Sequence, residues 1–401
     1  MPVAAPRPSL PADAAAHSDR LAARIAAVID ATGGWIGFDR FMDMALYEPG
    51  LGYYHGGAAK FGAAGDFVTA PEISSLFGRT LARLVADVLA ATAGNVLELG
   101  PGTGRLAADV LGELDRLDVL PGRYELLDLS PELRSRQRAT INALPPAIAT
   151  RAHWLDELPP EIRGVVIANE VFDALPVQLV AWRENGVLER GVVRSSTGFA
   201  WEDRPIADPR LAAAAAALPV RATDAPYVSE INLRAHALVD ALASRLVTGA
   251  LICIDYGFSR AEFYHPQRAS GTLMCHHRHM AHPDPFVLPG LQDITAHVDF
   301  TALAETGMAA GLQVAGYGTQ AGFLIDLGIT DLLAQTDPSD AARYAPLAAQ
   351  TQQLLSPAEM GELFKVLALT RGIDGALRGF ASGDRSRTLH VRNDTKSEEA
   401  E

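Results

Sequence analysis

The chain has 401 residues, 48% of them apolar, and sets 34 Lys and Arg against 48 Asp and Glu, a net charge of −14. That apolar fraction supplies a sizeable core and excludes global disorder, while the length suits one large domain or two ordinary ones. The acidic balance argues against general binding to nucleic acid or anionic membranes and is compatible with cationic substrates, although solubility alone accounts for a charge of this size.

Residues 1–15 are rich in Pro and Ala and are expected to form a disordered tail. Leu21, Ile25, Val28 and Ile29 then follow helical spacing, with Ser18 as a candidate N-cap and Gly33-Gly34 as a stop. A second segment from Phe38 to Tyr54 is broken by Glu48–Gly52. The stretch Phe61–Ser74 is rich in Gly and small polar residues; such a loop can fold over a ligand, but an ordinary surface connection is the preferred reading. A helix with Leu81, Leu84, Val85, Val88 and Leu89 on one face runs to Gly94. Residues 16–94 are therefore expected to form an N-terminal helical or lid region.

From residue 95 the pattern alternates strand and helix. Asn95–Leu99 reads as a buried strand that enters a turn with Gly100, Gly102 and Gly104, and a helix follows. Tyr124–Ser130 is a second strand with Asp128 near its end and Pro131 opening the next helix. Ala152–Leu155, Gly164–Glu170 and Ala250–Gly257 complete a set of apolar strands, the last two with polar ends. Strands separated by helices predict a doubly wound parallel sheet over residues 95–385, with Gly100–Gly104, Asp128, Asn169–Asp173 and Asp255 gathered at its C-terminal edge.

Two insertions interrupt the pattern, at 178–249 and 258–300. Residues 178–203 alternate around Asn185-Gly186 as in a hairpin, and 211–217 are expected to be helical. A late strand is expected at Gly311–Tyr317 and a helix at 356–372, and residues 386–401 form a polar tail. Two cysteines, Cys253 and Cys275, give no disulfide framework. No uncharged apolar run reaches the roughly 18 residues that span a bilayer. The first residues lack a signal-peptide core, so a cytoplasmic location without membrane insertion is expected.

The glycine spacing narrows the ligand. A dinucleotide turn needs a third Gly where Arg105 or Ala107 stands, and no Lys-Ser/Thr pair follows as a P-loop requires. The pattern Glu98-x-Gly100-x-Gly102-x-Gly104 instead resembles Rossmann-like methyltransferases that bind S-adenosylmethionine. In those, an acid at the end of the next strand pairs with both ribose hydroxyls. Asp128, 24 residues beyond Gly104, stands at that place, and a carboxylate can accept both bonds. The competing reading of Asp128 is a helix cap. Glu170 and Asp173, three apart after a strand, are candidates for substrate-side groups, or else acids at a helix N-terminus. Cys275–His279 with His282 matches no defensible zinc spacing, so no metal is expected. His297 and Asp299 read as a structural pair or part of a substrate pocket.

The segments Phe41–Tyr54, Gly65–Ile73, Glu98–Gly104, Asn169–Pro176, Ile254–Gly257, Gly271–Cys275 and Asp293–Phe300 together resemble the MidA family of methyltransferases, over about residues 20–380. Thr103 and Met274–His277 depart from the family's usual residues. The resemblance implies a Rossmann-like class I α/β sheet with an N-terminal helical segment and inserted substrate-side elements. It implies S-adenosylmethionine as donor, held by Glu98, Gly100, Gly102, Gly104, Asp128 and Asn169. It also implies a protein arginine as acceptor, in the mitochondrial member on a subunit of respiratory complex I (NADH dehydrogenase). Glu170 and Asp173 are the catalytic candidates, with Glu72 and Glu230 in reserve. A non-catalytic assembly factor that binds S-adenosylmethionine and a small-molecule methyltransferase are the alternatives. The sequence leaves the oligomeric state open.

Overall fold

The computed structural model describes residues 11–55, 69–220, 226–278 and 280–391, and these divide into two compact units. The larger comprises residues 68–173, 235–263 and 297–401, the smaller residues 1–67, 174–234 and 264–296.

The larger unit is built on one sheet. Its strands are β1 (Asn95–Leu99), β2 (Tyr124–Leu127), β3 (Ala152–Leu155), β4 (Ile162–Asn169), β5 (Leu246–Phe258), β6 (Gln313–Thr319) and β7 (Phe364–Arg371). Their spatial order is β6-β7-β5-β4-β1-β2-β3, and the short strand Val298–Asp299 pairs with β5. The five strands from β5 to β3 are parallel, while β7 runs antiparallel to both β5 and β6. This is the Rossmann-like sheet expected, extended by an antiparallel pair. Val96, Val165, Ile167 and Ile252 pack with Leu81, Leu84 and Val85 of helix Ser75–Thr92 and Val110 and Leu111 of helix Arg105–Arg116, all fully buried. Each such side chain contributes roughly 1.5–3 kcal/mol by leaving water. The chain steps outward from β1 to β2 and β3 and then returns to the other side of β1 as β4. Order therefore reverses between β1 and β4, and the strand ends there open a crevice.

The smaller unit packs helices Ala12–Ala31 and Phe38–Tyr47 with an antiparallel sheet. The expected hairpin is present, with Arg183 opposite Gly186 at its turn, and Gly198–Pro205 adds a strand. The helix expected at 211–217 spans Pro209–Ala217. A separate three-stranded sheet joins Met274–His277, Met280–His282 and Asp293–Thr295. Phe41 and Phe286 meet edge to face at 5.3 Å in its core, beside the fully buried Leu21, Ile25 and Met42.

Several expectations need correction. The first helix starts at Ala12, so the tail expected to reach residue 15 is helical from there, and residues 1–10 lie outside the described residues. Ser18 sits inside that helix, buried, and Pro11 holds the N-cap position. The boundary expected at residue 94 falls near residue 68, because helix Ser75–Thr92 packs on the sheet of the larger unit; of the expected insertions, residues 178–234 and 264–296 group with the N-terminal segment, while 235–249, 258–263 and 297–300 belong to the larger unit. Most of the Gly-rich loop lies outside the described residues, and Ala70–Ile73 forms one helical turn. The helix expected at 356–372 is β7, buried between β5 and β6 at all but its last residue. Its Leu and Ala suit a helix, but pairing with two neighbours decides the outcome. Past Arg385, Ser386–Leu389 forms a 3₁₀ turn with Leu389 buried, and 392–401 lie outside the described residues. Among the described residues no helix is long and apolar enough to cross a membrane.

Candidate functional site

The C-terminal edge of the sheet carries two groups of residues, one on each side of the β1/β4 reversal. The first is the glycine turn. Gly100, Gly102 and Gly104 all have positive φ, at 57°, 53° and 82°. A Cβ on Gly104 would stand 3.0 Å from Gln137 Cα, whereas nothing lies within 4 Å of the place a Cβ would take on Gly102. The turn is thus closed toward helix Pro131–Asn142 and open at Gly102, which leaves backbone for a ligand to approach. Gly104 precedes helix Arg105–Arg116 without a side-chain cap.

Beneath the turn Glu98 is buried and accepts from Tyr124 Oη at 2.6 Å. Burial, opposed by that bond and reinforced by Asp128, pushes Glu98 up to about 7. Asp128 is 8% exposed, its Oδ1 accepting from Ser130 N at 2.8 Å and its Oδ2 from Gln137 Nε2 at 2.8 Å. The cap of the following helix is Ser130, whose hydroxyl accepts from Leu133 N; the helix-cap reading of Asp128 therefore gives way to a turn just ahead of it. Each carboxylate oxygen accepts more than one bond, so Asp128 keeps capacity for hydroxyls.

The second group follows β4. Glu170 adopts φ 53°, a left-handed conformation that costs a side-chain-bearing residue roughly 1–2 kcal/mol. Its N–H still pairs with Ile254 O at 2.8 Å, so the strand ends there and turns sharply. Asn169 Nδ2 donates to Glu170 Oε1 at 3.1 Å and Tyr256 Oη to Oε2 at 3.5 Å. Burial and the nearby Asp173 push Glu170 up to about 8, against bonds from Asn169, the Ala70 N–H and Tyr256. Asp255 is fully buried; its Oδ2 accepts from Phe172 N at 2.9 Å and Asp173 N at 3.3 Å. It holds the 171–173 turn, and burial and Glu170 drive its carboxyl up. Val171 stands 3.3 Å from where a Gly100 Cβ would be, so the two groups adjoin.

Glu72, a reserve acid on the substrate side, accepts a hydrogen bond from Thr103 Oγ1 of the glycine turn. Glu230 lies in the smaller unit, where its Oε1 accepts from Thr272 N and Leu273 N, both at 2.8 Å. That acid fastens the Gly271–Leu273 segment. His277 Nδ1 bonds Leu291 O at 2.7 Å, Cys275 is buried with its thiol pushed up, and His279 lies outside the described residues. His297 stacks on Phe258 at 5.3 Å, and Asp299 caps helix Phe300–Ala309 and pairs with Arg260. Sequence reasoning missed Gln137 and Tyr256. The available signal for Gln137 was a polar residue at i+4 on the stripe of Leu133, Gln137 and Ile141, all buried.

A family model described as S-adenosyl-L-methionine-dependent methyltransferase matches residues 79–318. The chain belongs to this family. It is a class I enzyme of the S-adenosylmethionine-dependent kind. The chain is similar to a Burkholderia thailandensis protein solved with S-adenosyl-homocysteine bound, at 52% identity and a TM-score of 0.91, over 96% of this chain and 100% of that one. It is 31% identical to zebrafish (Danio rerio) protein arginine methyltransferase NDUFAF7, mitochondrial, over 86% of this chain and 85% of the relative. The human protein of that name is 30% identical over 82% of this chain and 78% of the relative. These curated relatives are mitochondrial, which overturns the cytoplasmic location expected from the sequence.

The residues present fit the cofactor. Gly102 is open, Asp128 is held with accepting capacity to spare, and Asn169 Oδ1 is buried without a hydrogen-bond partner among the described residues.

Proposed function

We propose that the protein methylates arginine on a protein substrate, with Glu170 and Asp173 as the groups that receive the guanidinium. The observation that carries this reading is the gathering of Glu170, Asp173 and Asp255 where β4 and β5 end, with burial first and Asp173 second pushing Glu170 up to about 8. Such a cluster is costly while empty and is relieved by a cation, so part of its unfavourable charge energy becomes binding energy for guanidinium. The names of the curated relatives support the same acceptor. A subunit of respiratory complex I is the substrate we favour, on the family resemblance alone.

The donor side is assigned to Glu98, Gly100, Gly102, Gly104, Asp128 and Asn169, with the two ribose hydroxyls on Asp128. When bound, S-adenosylmethionine supplies a methyl group already activated by its sulfonium. The protein's work is then alignment and charge. Glu170 and Asp173 hold the guanidinium by paired hydrogen bonds and draw its charge onto the nitrogens they contact, which leaves one nitrogen oriented for attack. The nitrogen that is methylated sheds one proton, which we assign to the Glu170 carboxylate as acceptor.

The test is a lysate assay with the full chain and S-adenosylmethionine labelled in its methyl group. Label in protein that hydrolyses to methylated arginine is expected. Label in small molecules alone, or cofactor binding with no labelled product, would overturn the reading.

A further inference from the structure

Gln137 is fully buried on the inner face of helix Pro131–Asn142. Its Nε2 donates to Gly102 O at 3.0 Å and to Asp128 Oδ2 at 2.8 Å, and its Oε1 accepts from Trp154 Nε1 at 2.9 Å. Gly102 and Asp128 present only acceptors, and the indole N–H only donates. The amide can therefore satisfy all three in one orientation only. Trp154 itself sits on β3, with the Arg138 guanidinium 4.2 Å above its ring.

We infer that Gln137 is a positioning residue: it locks the Asp128 carboxylate to the glycine turn, and Trp154 sets which way its amide faces. The inference rests on the assignment of Asp128 to the ribose. Asp128 follows β2 and Gly102 follows β1, so each is carried on its own loop. Ser130 N holds one oxygen of Asp128, and Gln137 holds the other. The same amide hydrogens fix the carbonyl of the glycine whose outer side is open. One buried side chain thus sets the separation between the group that reads ribose and the turn beside which the cofactor lies. A bond to a buried carboxylate is the kind whose loss is felt most strongly, and here the group that loses a donor is itself assigned to ligand binding.

The experiment measures binding of S-adenosylhomocysteine and of its 2′,3′-dideoxyribose analogue to the full chain by calorimetry, in wild type, Gln137→Met, Trp154→Phe and Asp128→Asn. Gln137→Met keeps the volume and removes both donated bonds. It is expected to weaken S-adenosylhomocysteine about tenfold and the dideoxy analogue less than threefold, with kcat at saturating S-adenosylmethionine within about twofold of wild type. Trp154→Phe leaves the amide in place but unfixed and is expected to show the same selective loss, about threefold. Equal weakening of both ligands by Gln137→Met and Trp154→Phe would overturn the inference, since general loosening of the fold does not discriminate between them. So would unchanged affinity in Gln137→Met. Asp128→Asn separates the two levels: if it leaves the preference for the hydroxyl-bearing ligand intact, the ribose assignment fails. If it removes that preference while Gln137→Met does not, the positioning role alone fails. Should Gln137→Met not fold, Trp154→Phe decides by the same ratio.

Discussion

The two sides of the β1/β4 crevice are built on opposite principles. On the glycine-turn side the two buried acids are paired into a fixed frame, Asp128 by Ser130 and Gln137 and Glu98 by Tyr124. On the other side like charges are crowded together and the backbone of Glu170 is strained. A ligand with hydroxyls and an adenine-bearing sugar rewards the first arrangement, because prepared acceptors need no reorganisation. A cationic ligand rewards the second, because it cancels the repulsion. The difference suits a donor bound in one form to a rigid frame and an acceptor whose arrival changes the charge state of its site.

The largest effect that would break this comparison is expected at Glu170. Glu170→Gln keeps size and removes the charge, so methyl transfer should fall about a thousandfold while the Kd for S-adenosylhomocysteine changes less than twofold. Single-turnover transfer and calorimetry together check it; an equal loss in both would place Glu170 on the donor side. Next in size is the frame itself. Gly104→Val puts a branched side chain at φ 82° against Gln137 Cα, and cofactor affinity should drop about a hundredfold, with a fall in Tm of several degrees. Calorimetry and a thermal melt measure the two. Retained affinity would mean the turn is not the cofactor's cradle.

How much of this was legible follows from the same contrast. The glycine turn, Asp128 and the parallel strands are local signals: three glycines on a fixed spacing, and an acid at a strand end. The identity of β7 was not local. Phe364–Arg371 reads as a helix until β5 and β6 are on either side of it. Glu72 carried no signal of where its carboxylate lands, because the partner, Thr103, is 31 residues away. Gln137 was visible only as an anomaly, one polar residue on a buried stripe. The positive φ of Glu170 lies at a residue type that gives no warning of it.

A third effect is pH dependence. Glu170 binds its proton more tightly in the folded chain, at about 8 against the ordinary 4.5. Between those values the folded state holds a proton that the unfolded state has lost, so stability should fall as pH rises from about 4.5 to about 8 and level off above. Glu98, pushed to about 7, contributes in the same direction. Urea titrations across pH 5–9 on wild type and Glu170→Gln should show a shallower slope in the variant; an unchanged slope would remove Glu170 from the trend. For catalysis the sign reverses. The carboxylate must be charged to hold guanidinium, so kcat/KM should rise with pH toward a plateau above about 8.

The smallest effect addresses Glu72, whose expected place among the catalytic acids sits uneasily with its bond to Thr103. If Glu72 serves the frame, Thr103→Ala and Glu72→Gln should each weaken S-adenosylhomocysteine about two- to threefold, the size of one ordinary hydrogen bond. Transfer at saturating S-adenosylmethionine should hold within about twofold. The double variant should then weaken binding no more than either single change, because both remove the same contact. If instead Glu72→Gln cuts kcat tenfold with cofactor affinity intact, Glu72 belongs with Glu170 on the crowded side. The Thr103 bond would then be how the helical turn Ala70–Ile73 is carried to it.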